Sequence, residues 1–285
     1  MYKVAILGCE NSHADGFLKQ VIENKLVADV EFVGLYSNEP EAAERLSKMY
    51  NIPVADSYDA FVGKVDGVII TARHGDNHYK YAKPYLASGI PMFIDKPITC
   101  SEEDARAFMA DLKAHNIRVS GGSVCKLADE VQELKKAVQE RTYGDVYGGF
   151  LRAPVDMENE YGDFFFYCQH LVQIMMEIFG NYPKSVQAFQ NGITTTCIVR
   201  YDAYDVTLAY EEGNYLYYAG ISCEKEFVGD KFKVSNFDKE FLEYYNVLQG
   251  NEQKQSYEDF FAPVYIHNAL ARSIASGKEE VINWF

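Results

Sequence analysis

Pro91-Met92-Phe93-Ile94-Asp95-Lys96-Pro97 is the stretch on which the fold is decided. The apolar run Pro91 to Ile94 has the length of a buried strand, and Lys96 follows directly at its C-terminal end. In an open α/β sheet that end is the ligand side, and Pro97 restricts Lys96 to an extended backbone that holds its ammonium over a cleft. Working back from this strand, His78 to Ser88 reads as a helix stopped at Gly89, and Gly67 to Thr71 as a strand. Glu39 to Tyr50 reads as a helix, Glu31 to Tyr36 as a strand, and Asp15 to Lys25 as a helix with Phe17, Leu18, Val21 and Ile22 at helical spacing. Val4 to Leu7 is a buried strand. Working forward, Ser101 to His115 is a helix in which Ser101 and Asp104 resemble an N-terminal cap with an acidic first turn, and Ile117 to Ser120 is a further strand.

This alternation is the sequence form of repeated βαβ units, so residues 1–121 are expected to form a Rossmann-type parallel sheet. Past Gly121-Gly122 the texture changes. A helix over Ala128 to Gln139 leads into strands at Val146 to Arg152, Ser185 to Gln190, Thr194 to Tyr201, Val206 to Tyr210, Tyr215 to Ser222 and Phe227 to Val234. Their period-two pattern of β-branched and aromatic residues predicts a large, mostly antiparallel sheet. Helices at Asp163 to Phe179 and Val264 to Ser276 complete an α+β domain, assigned to residues 122–285 for substrate binding and oligomerisation.

Composition narrows the class. The 285 residues are 48% hydrophobic, 14% aromatic and 24% charged, enough apolar content for sizeable cores. Twenty-seven Lys and Arg against 42 Asp and Glu leave a formal charge of −15, which argues against nucleic acid and anionic membranes as partners. Six scattered cysteines form no C-x-x-C pair, so a reducing compartment and no metal site are expected. Tyr2 runs straight into Val4-Ala5-Ile6-Leu7 without a basic leader, and no run approaches the roughly 18 apolar residues of a membrane helix, so the cytoplasm is the expected location.

Gly8 follows the first strand where a dinucleotide-binding fold turns and aims a helix N-terminus at pyrophosphate. The second and third positions of G-x-G-x-x-G hold Glu10 and His13, so the full motif is absent, and a plain strand-to-helix turn stays open as an alternative. The second strand ends in Ser37-Asn38, where a carboxylate would bind ribose hydroxyls and repel a 2′-phosphate. Ser37 tolerates either cofactor, and dual use of NAD or NADP with a slight NADP bias is expected.

At Ile94-Asp95-Lys96-Pro97 the chain resembles the Gfo/Idh/MocA oxidoreductases, which carry an Asp/Glu-Lys-Pro signature. His78, Gly89 and Lys96 keep the spacing of that family's run from a His through A-x-x-A-L-x-x-G to E-K-P. The loop Thr71-Ala72-Arg73-His74-Gly75-Asp76-Asn77-His78 departs from the family's T-P-x-x-x-H by two extra residues and a lost Pro. A second family pattern, D-x-G-x-H-x-x-D, falls on the helix after the second domain's first strand. There His170 matches, while the positions of Asp, Gly and the last Asp hold Phe166, Cys168 and Gln173. Phe cannot position or polarise an imidazole, so the catalytic pair is broken. Asp163, Tyr167, His170, Gln173 and Glu177 nevertheless share one helical stripe that faces either a cleft or solvent.

The resemblance implies hydride transfer between NAD(P) and a sugar, cyclitol or related polyol. Lys96 would bind the substrate hydroxyl and orient the nicotinamide, His170 would be the general base, and Tyr167 would assist. The implied cofactor contacts are Gly8, Glu10, Asn11, Ser12, His13, Ser37, Asn38, Thr71, Ala72, Arg73, His78, Asp95 and Lys96. Arg152, Asp163 and Lys126 join Lys96 and His170 as candidate substrate contacts. His74, Asp76 and His78 are weighed as metal ligands and set aside in favour of solvated side chains. A homodimer or homotetramer through the C-terminal sheet is expected. The competing reading is a non-redox relative, either a binding or regulatory protein or a cofactor-assisted lyase or hydrolase, that kept the fold and lost the glycine loop and the catalytic Asp.

Overall fold

The computed structural model describes residues 1–285. They divide into two compact units, Met1–Gly122 with Phe237–Phe260, and Ser123–Asn236 with Phe261–Phe285. A single cut after residue 121 therefore misplaces Phe237–Phe260, which return to the first unit.

The first unit opens with β1 (Tyr2–Leu7), α1 (Ser12–Leu18), β2 (Val30–Tyr36), α2 (Pro40–Tyr50), β3 (Gly67–Ile70), α3 (Asp76–Ala82), β4 (Met92–Asp95), α4 (Glu102–Ala114) and β5 (Val119–Gly122). The strands pair in parallel in the order β2-β1-β3-β4-β5. Val4 to Leu7, Val68 to Ile70 and Met92 to Ile94 are all 0% exposed, as a parallel sheet covered on both faces requires. Local sequence sets the helix ends. Ser101 Oγ accepts the Asp104 amide at 3.1 Å to cap α4, above an acidic first turn of Glu102, Glu103 and Asp104. The single helix expected over His78 to Ser88 is instead α3 followed by a 3-10 turn, Lys83–Ser88, because Pro84 lacks the N–H an α-helix needs. Strand order reverses between β1 and β3, which puts the ligand side of this sheet at the loops after those strands.

The second unit holds α5 (Asp129–Gln139), β6 (Val146–Val155), α6 (Phe164–Phe179), β7 (Ser185–Asn191), β8 (Thr194–Arg200), β9 (Asp205–Glu212), β10 (Tyr217–Cys223), β11 (Phe227–Phe232) and the short β12 (Glu280–Val281). They form a seven-stranded sheet in the order β11-β10-β6-β9-β8-β7-β12. β6 and β9 pair in parallel and every other pair is antiparallel. Leu151, Ala153, Val206, Leu208, Tyr210, Ala219 and Ile221 alternate onto the buried face. The opposite face exposes Phe150 and Phe189, at 39% and 54%. α6 is apolar almost all round, with Cys168, Leu171, Val172, Ile174 and Met175 at 0% exposure.

α7 (Phe237–Leu248) returns to the first unit and has no counterpart among the expected helices. Gly16 permits the approach, since a Cβ there would lie 2.8 Å from the Phe237 ring. Phe241, Tyr244, Val247 and Leu248 complete a core with Val4, Ile6, Phe17 and Phe93. Phe17 meets Phe93 edge-on at 4.9 Å and Phe241 at 5.6 Å. α8 (Tyr257–Ser276) starts earlier than the expected Val264 and carries Pro263 within it. No helix is long and apolar enough to cross a membrane.

Candidate active site

In the first unit the ends of β1, β2 and β3 converge on one carboxylate. Gly8 sits at φ +80°, and a Cβ on it would lie 2.3 Å from the Ala72 backbone nitrogen, so only glycine lets β1 turn against the loop after β3. Thr71 Oγ1 donates to the Gly8 carbonyl at 3.0 Å and fixes the same crossing. Beyond the turn the Glu10 side chain folds toward β2. Ser37 Oγ donates to its Oε2 at 2.6 Å and the Arg73 amide to its Oε1 at 3.1 Å. Glu10 is only 5% exposed, and burial raises its pKa although the Ser37 bond opposes the rise. Ser37 in turn accepts the Glu39 amide at 2.9 Å, and Arg73 Nη1 lies 3.6 Å from the Glu39 carboxylate. Thr71 and Ala72 are buried beneath, and Asn38 is exposed at the rim.

A second cluster lies at the end of β4. Asn11 caps α1, its Oδ1 accepting the His13 amide at 3.4 Å, and Ser12 Oγ donates to that oxygen at 3.2 Å. Asn11 Nδ2 donates to Asp95 Oδ2 at 2.9 Å, while the Lys96 amide donates to Asp95 Oδ1 at 2.6 Å. His13 Nδ1 lies 3.1 Å from Asp95 and its Nε2 3.3 Å from Glu240 of α7. Burial pushes the Asp95 carboxyl up to about 6, with His13 and Lys96 pulling it back, and burial lowers the His13 pKa. The expectation that His13 touches cofactor is corrected: its ring is 3% exposed, held between two carboxylates and packed 5.2 Å from the Phe237 ring. Glu240 belongs to the helix that the sequence analysis lacks, although Phe237, Phe241, Tyr244 and Leu248 stand at helical spacing.

Lys96 is 4% exposed, close enough to lower the pKa of Asp95, His13 and His78 by its charge, and its bond to Pro97 is cis. His78 is also corrected. It is fully buried, its Nε2 lies 2.8 Å from the Ala72 carbonyl and its Nδ1 3.3 Å from that of Ile98. Burial pushes its pKa down to about 4, so the neutral ring has one N–H, and the shorter contact to Ala72 takes it. His78 ties two loops together rather than facing a ligand. The densest set of potential metal ligands replaces His78 with Cys100: His74, Asp76 and Cys100 lie within 4.8 Å of one another. His74 Nδ1 already accepts the Asp76 amide at 3.3 Å, and burial, helped by Asp76, pushes the Cys100 thiol up to about 12.

In the second unit, α6 buries His170 at 6% exposure and Gln173 at 2%, so their stripe does not face solvent. His170 Nδ1 lies 2.6 Å from Ser123 Oγ and 3.3 Å from Cys125 Sγ, both from the segment around the 3-10 turn Val124–Leu127. Tyr167 and Tyr217 stand 5.9 Å and 6.4 Å from the imidazole, ring to ring, and Tyr215 lies 6.1 Å from Tyr167. Farther along the stripe Glu177 takes Lys135 at 2.7 Å and Gln132 at 3.0 Å, bonds that outweigh burial and hold its pKa low. Lys126 is buried and adds its charge to the same effect.

Two of the expected substrate contacts have partners within the chain. The Arg152 guanidinium is committed to the Glu211 carboxylate and the Leu216 carbonyl, fastening β6 to β9 and to the turn before β10. Asp163 is exposed, and its Oδ1 accepts the Asn159 amide at 2.9 Å, closing the loop before α6. Ser123, Cys125 and Gln169 are absent from the sequence-derived site. The only sequence signal near Ser123 is the Gly121-Gly122 break in pattern.

Residues 2–123 match the profile of the Gfo/Idh/MocA group, described as "Oxidoreductase family, NAD-binding Rossmann fold". No curated protein matches the chain. Among solved structures, scyllo-inositol dehydrogenase from Lactobacillus casei with bound NAD(H) and scyllo-inositol is similar at 14% identity and a TM-score of 0.85, over 99% of each chain. Myo-inositol dehydrogenase from the same organism, with NAD(H) and myo-inositol, is similar at 12% identity and a TM-score of 0.85, over 100% of this chain and 98% of that one. Myo-inositol 2-dehydrogenase from Lactobacillus plantarum gives 15% identity and a TM-score of 0.84 over 99% of each. At these identities the likeness shows the fold.

Proposed function

Residues 2–123 match the Gfo/Idh/MocA oxidoreductase family, and from that premise we propose that the chain is a member of it and an NAD-dependent dehydrogenase of a cyclitol or related polyol. The observation that carries the reading is the Glu10 carboxylate, set against Ser37 where β1, β2 and β3 end. A carboxylate at the end of β2 is the usual acceptor for ribose hydroxyls. Here it arrives from the β1 loop, and turning toward Ser37 takes the side chain out of the path a pyrophosphate needs over the Gly8 turn. The same negative charge repels a 2′-phosphate, so NAD rather than NADP is proposed, against the bias expected from Ser37 alone. The residues present therefore fit a dinucleotide. Gly8, Asn11 and Ser12 would hold its phosphates, Glu10 and Ser37 its ribose, and Thr71, Ala72 and Arg73 would line its edge.

When bound, NAD supplies the hydride acceptor. The protein's own groups would handle the proton: His170 would take it from the substrate hydroxyl during oxidation of the alcohol carbon to a ketone. Lys96, with the position the family signature gives it, holds the substrate oxygen and stabilises the charge that develops there. The substrate class rests on the fold shared with inositol dehydrogenases. Self-association through the outer face of the seven-stranded sheet belongs to the same proposal. A second reading, dinucleotide binding without turnover, draws on Phe166, which packs against Tyr161 and Tyr167 at the family's Asp position.

Thermal unfolding with each of NAD+, NADH, NADP+ and NADPH, followed by absorbance assays on inositols and sugar alcohols, tests the proposal. At a ligand concentration of 100 times Kd the stabilisation is about 2.7 kcal/mol. NAD(H) should raise Tm more than NADP(H), and Lys96→Ala should lower turnover by about 10²-fold. No shift with any of the four would sink the dehydrogenase reading, and binding with no substrate oxidised would favour the second one.

A further inference from the structure

The loop after β3 and the segment after β4 meet at three side chains of different chemistry. His74, Asp76 and Cys100 offer a ring nitrogen, a carboxylate oxygen and a thiol sulfur, and these three atoms lie within 4.8 Å of one another. We propose that they form a site for a divalent transition-metal ion of the Zn²⁺ class, which fastens the loop carrying Thr71, Ala72 and Arg73 to the segment that follows Lys96 and Pro97. The set differs from the one the sequence suggests, because His78 is buried between two carbonyls and Cys100 takes its place. The inference is independent of the dehydrogenase reading.

The donor types select the ion. Mg²⁺ and Ca²⁺ take oxygen ligands, whereas one nitrogen, one oxygen and one sulfur suit a borderline ion such as Zn²⁺. Three protein ligands leave the fourth tetrahedral position to water. The spacing is close to that geometry. His74 Nδ1 and Asp76 Oδ2 are 3.8 Å apart. Ligands about 2.0–2.2 Å from a tetrahedral ion are separated by about 3.3–3.6 Å, so a small side-chain rotation closes the difference. The His74 and Asp76 side chains are 33% and 55% exposed, which leaves them free to make that rotation and lets the ion arrive from solvent.

The surroundings of Cys100 are arranged for a charged sulfur. The Gly75 and Asp76 amides donate to it, contacts that stabilise a thiolate. Burial and the Asp76 carboxylate act in the opposite direction and push the thiol up to about 12, so its proton stays on until a cation replaces it. Metal binding is then an exchange: the S–H bond breaks, a metal–sulfur bond forms and the proton leaves to solvent, with no change of oxidation state. The positive ion also removes the repulsion between sulfur and Asp76 that holds the proton in place. His74 is prepared in the same sense. Its Nδ1 accepts the Asp76 amide at 3.3 Å, so that nitrogen is unprotonated, as a metal requires, and a long hydrogen bond is exchanged for the ion. Of the six cysteines, Cys100 alone is not buried.

Co²⁺ and Zn²⁺ test the site on metal-free, fully reduced, full-length protein. One equivalent of Co²⁺ should give the near-ultraviolet band of sulfur-to-cobalt charge transfer together with the intense visible bands of a tetrahedral ion, and Zn²⁺ should displace it. X-ray absorption of the Zn²⁺ form should show one sulfur at about 2.3 Å, with nitrogen or oxygen as the remaining ligands. Cys100→Ser should abolish the charge-transfer band. His74→Ala, at an exposed side chain, serves if Cys100→Ser does not fold, and should weaken Co²⁺ binding by about tenfold or more. The inference is overturned by the absence of a charge-transfer band with the parent at millimolar Co²⁺, by a band that survives Cys100→Ser, or by an octahedral, all-oxygen spectrum. Co²⁺ affinity unchanged in His74→Ala overturns it as well.

Discussion

Glu10 occupies a place where glycine is the common solution, and its environment shows how a charged residue can live there. The Ser37 hydroxyl and the Arg73 amide take one carboxylate oxygen each, so the charge is paid out in hydrogen bonds even though burial raises the pKa. Glu10→Gln keeps the shape and removes the charge. Calorimetric titration should then show NADP+ binding strengthened by about tenfold or more relative to NAD+, the scale of relieving a like-charge contact. An unchanged ratio would place the cofactor phosphate away from Glu10. His78 carries a pH prediction. Its folded pKa of about 4 lies below the ordinary 6.5, so the neutral ring contributes stability that is complete above about pH 6.5 and lost as pH falls through 4. Between pH 7 and pH 5 that loss is about 2 kcal/mol. His78→Gln retains an N–H for the Ala72 carbonyl and does not titrate, so its urea midpoint should fall less over that interval than the parent's. Equal falls would show that His78 is not buried neutral. Lys96, His170 and the Gly8 turn were legible because each sits at a fixed spacing from a strand end or a motif partner. Ser123 was not legible, because its partner lies 47 residues away and nothing in the local pattern marks a serine after two glycines as a ligand of an imidazole.

At the scale of elements, the parallel sheet was readable because its strands are short apolar runs bounded by capped helices, and strand ends differ from expectation by a residue or two. The helix Phe237–Leu248 was the principal loss. Its apolar stripe is regular, yet it follows a run of strands and carries Asp238, Lys239, Glu240 and Glu243, which dilute the stripe to the eye. The structure shows what the stripe is for: Phe241 and Tyr244 are fully buried in the core of the first unit. Phe241→Ala should cost about 3–5 kcal/mol, the range for deleting a buried aromatic, measured by urea unfolding. A loss below about 1 kcal/mol would mean that α7 is not part of that core. α6 teaches the opposite lesson. Its hydrophobic bulk hides a polar network of Gln169, His170 and Gln173 that composition alone assigns to packing.

At the scale of the molecule, the outer face of the seven-stranded sheet exposes Phe150 and Phe189, apolar side chains of the kind that a second copy covers. Multi-angle light scattering at micromolar concentration should give a mass of at least twice 32.4 kDa, and a monodisperse monomer would remove this part of the proposal. The topology of the chain carries a further consequence. The first unit is interrupted after Gly122 and resumes only at Phe237, so Phe17, Phe93 and Ile6 emerge during synthesis long before Phe241 and Tyr244 exist to cover them. At ribosomal rates of about 5–20 residues per second the wait is on the order of ten seconds, far longer than hydrophobic collapse takes. The nascent sheet must therefore spend that interval with one face unroofed, while the intervening segment can finish all but its own last stretch. The order of completion is nested: neither unit closes until the polypeptide has crossed back, and the ribosome delivers the lid of the first before the tail of the second.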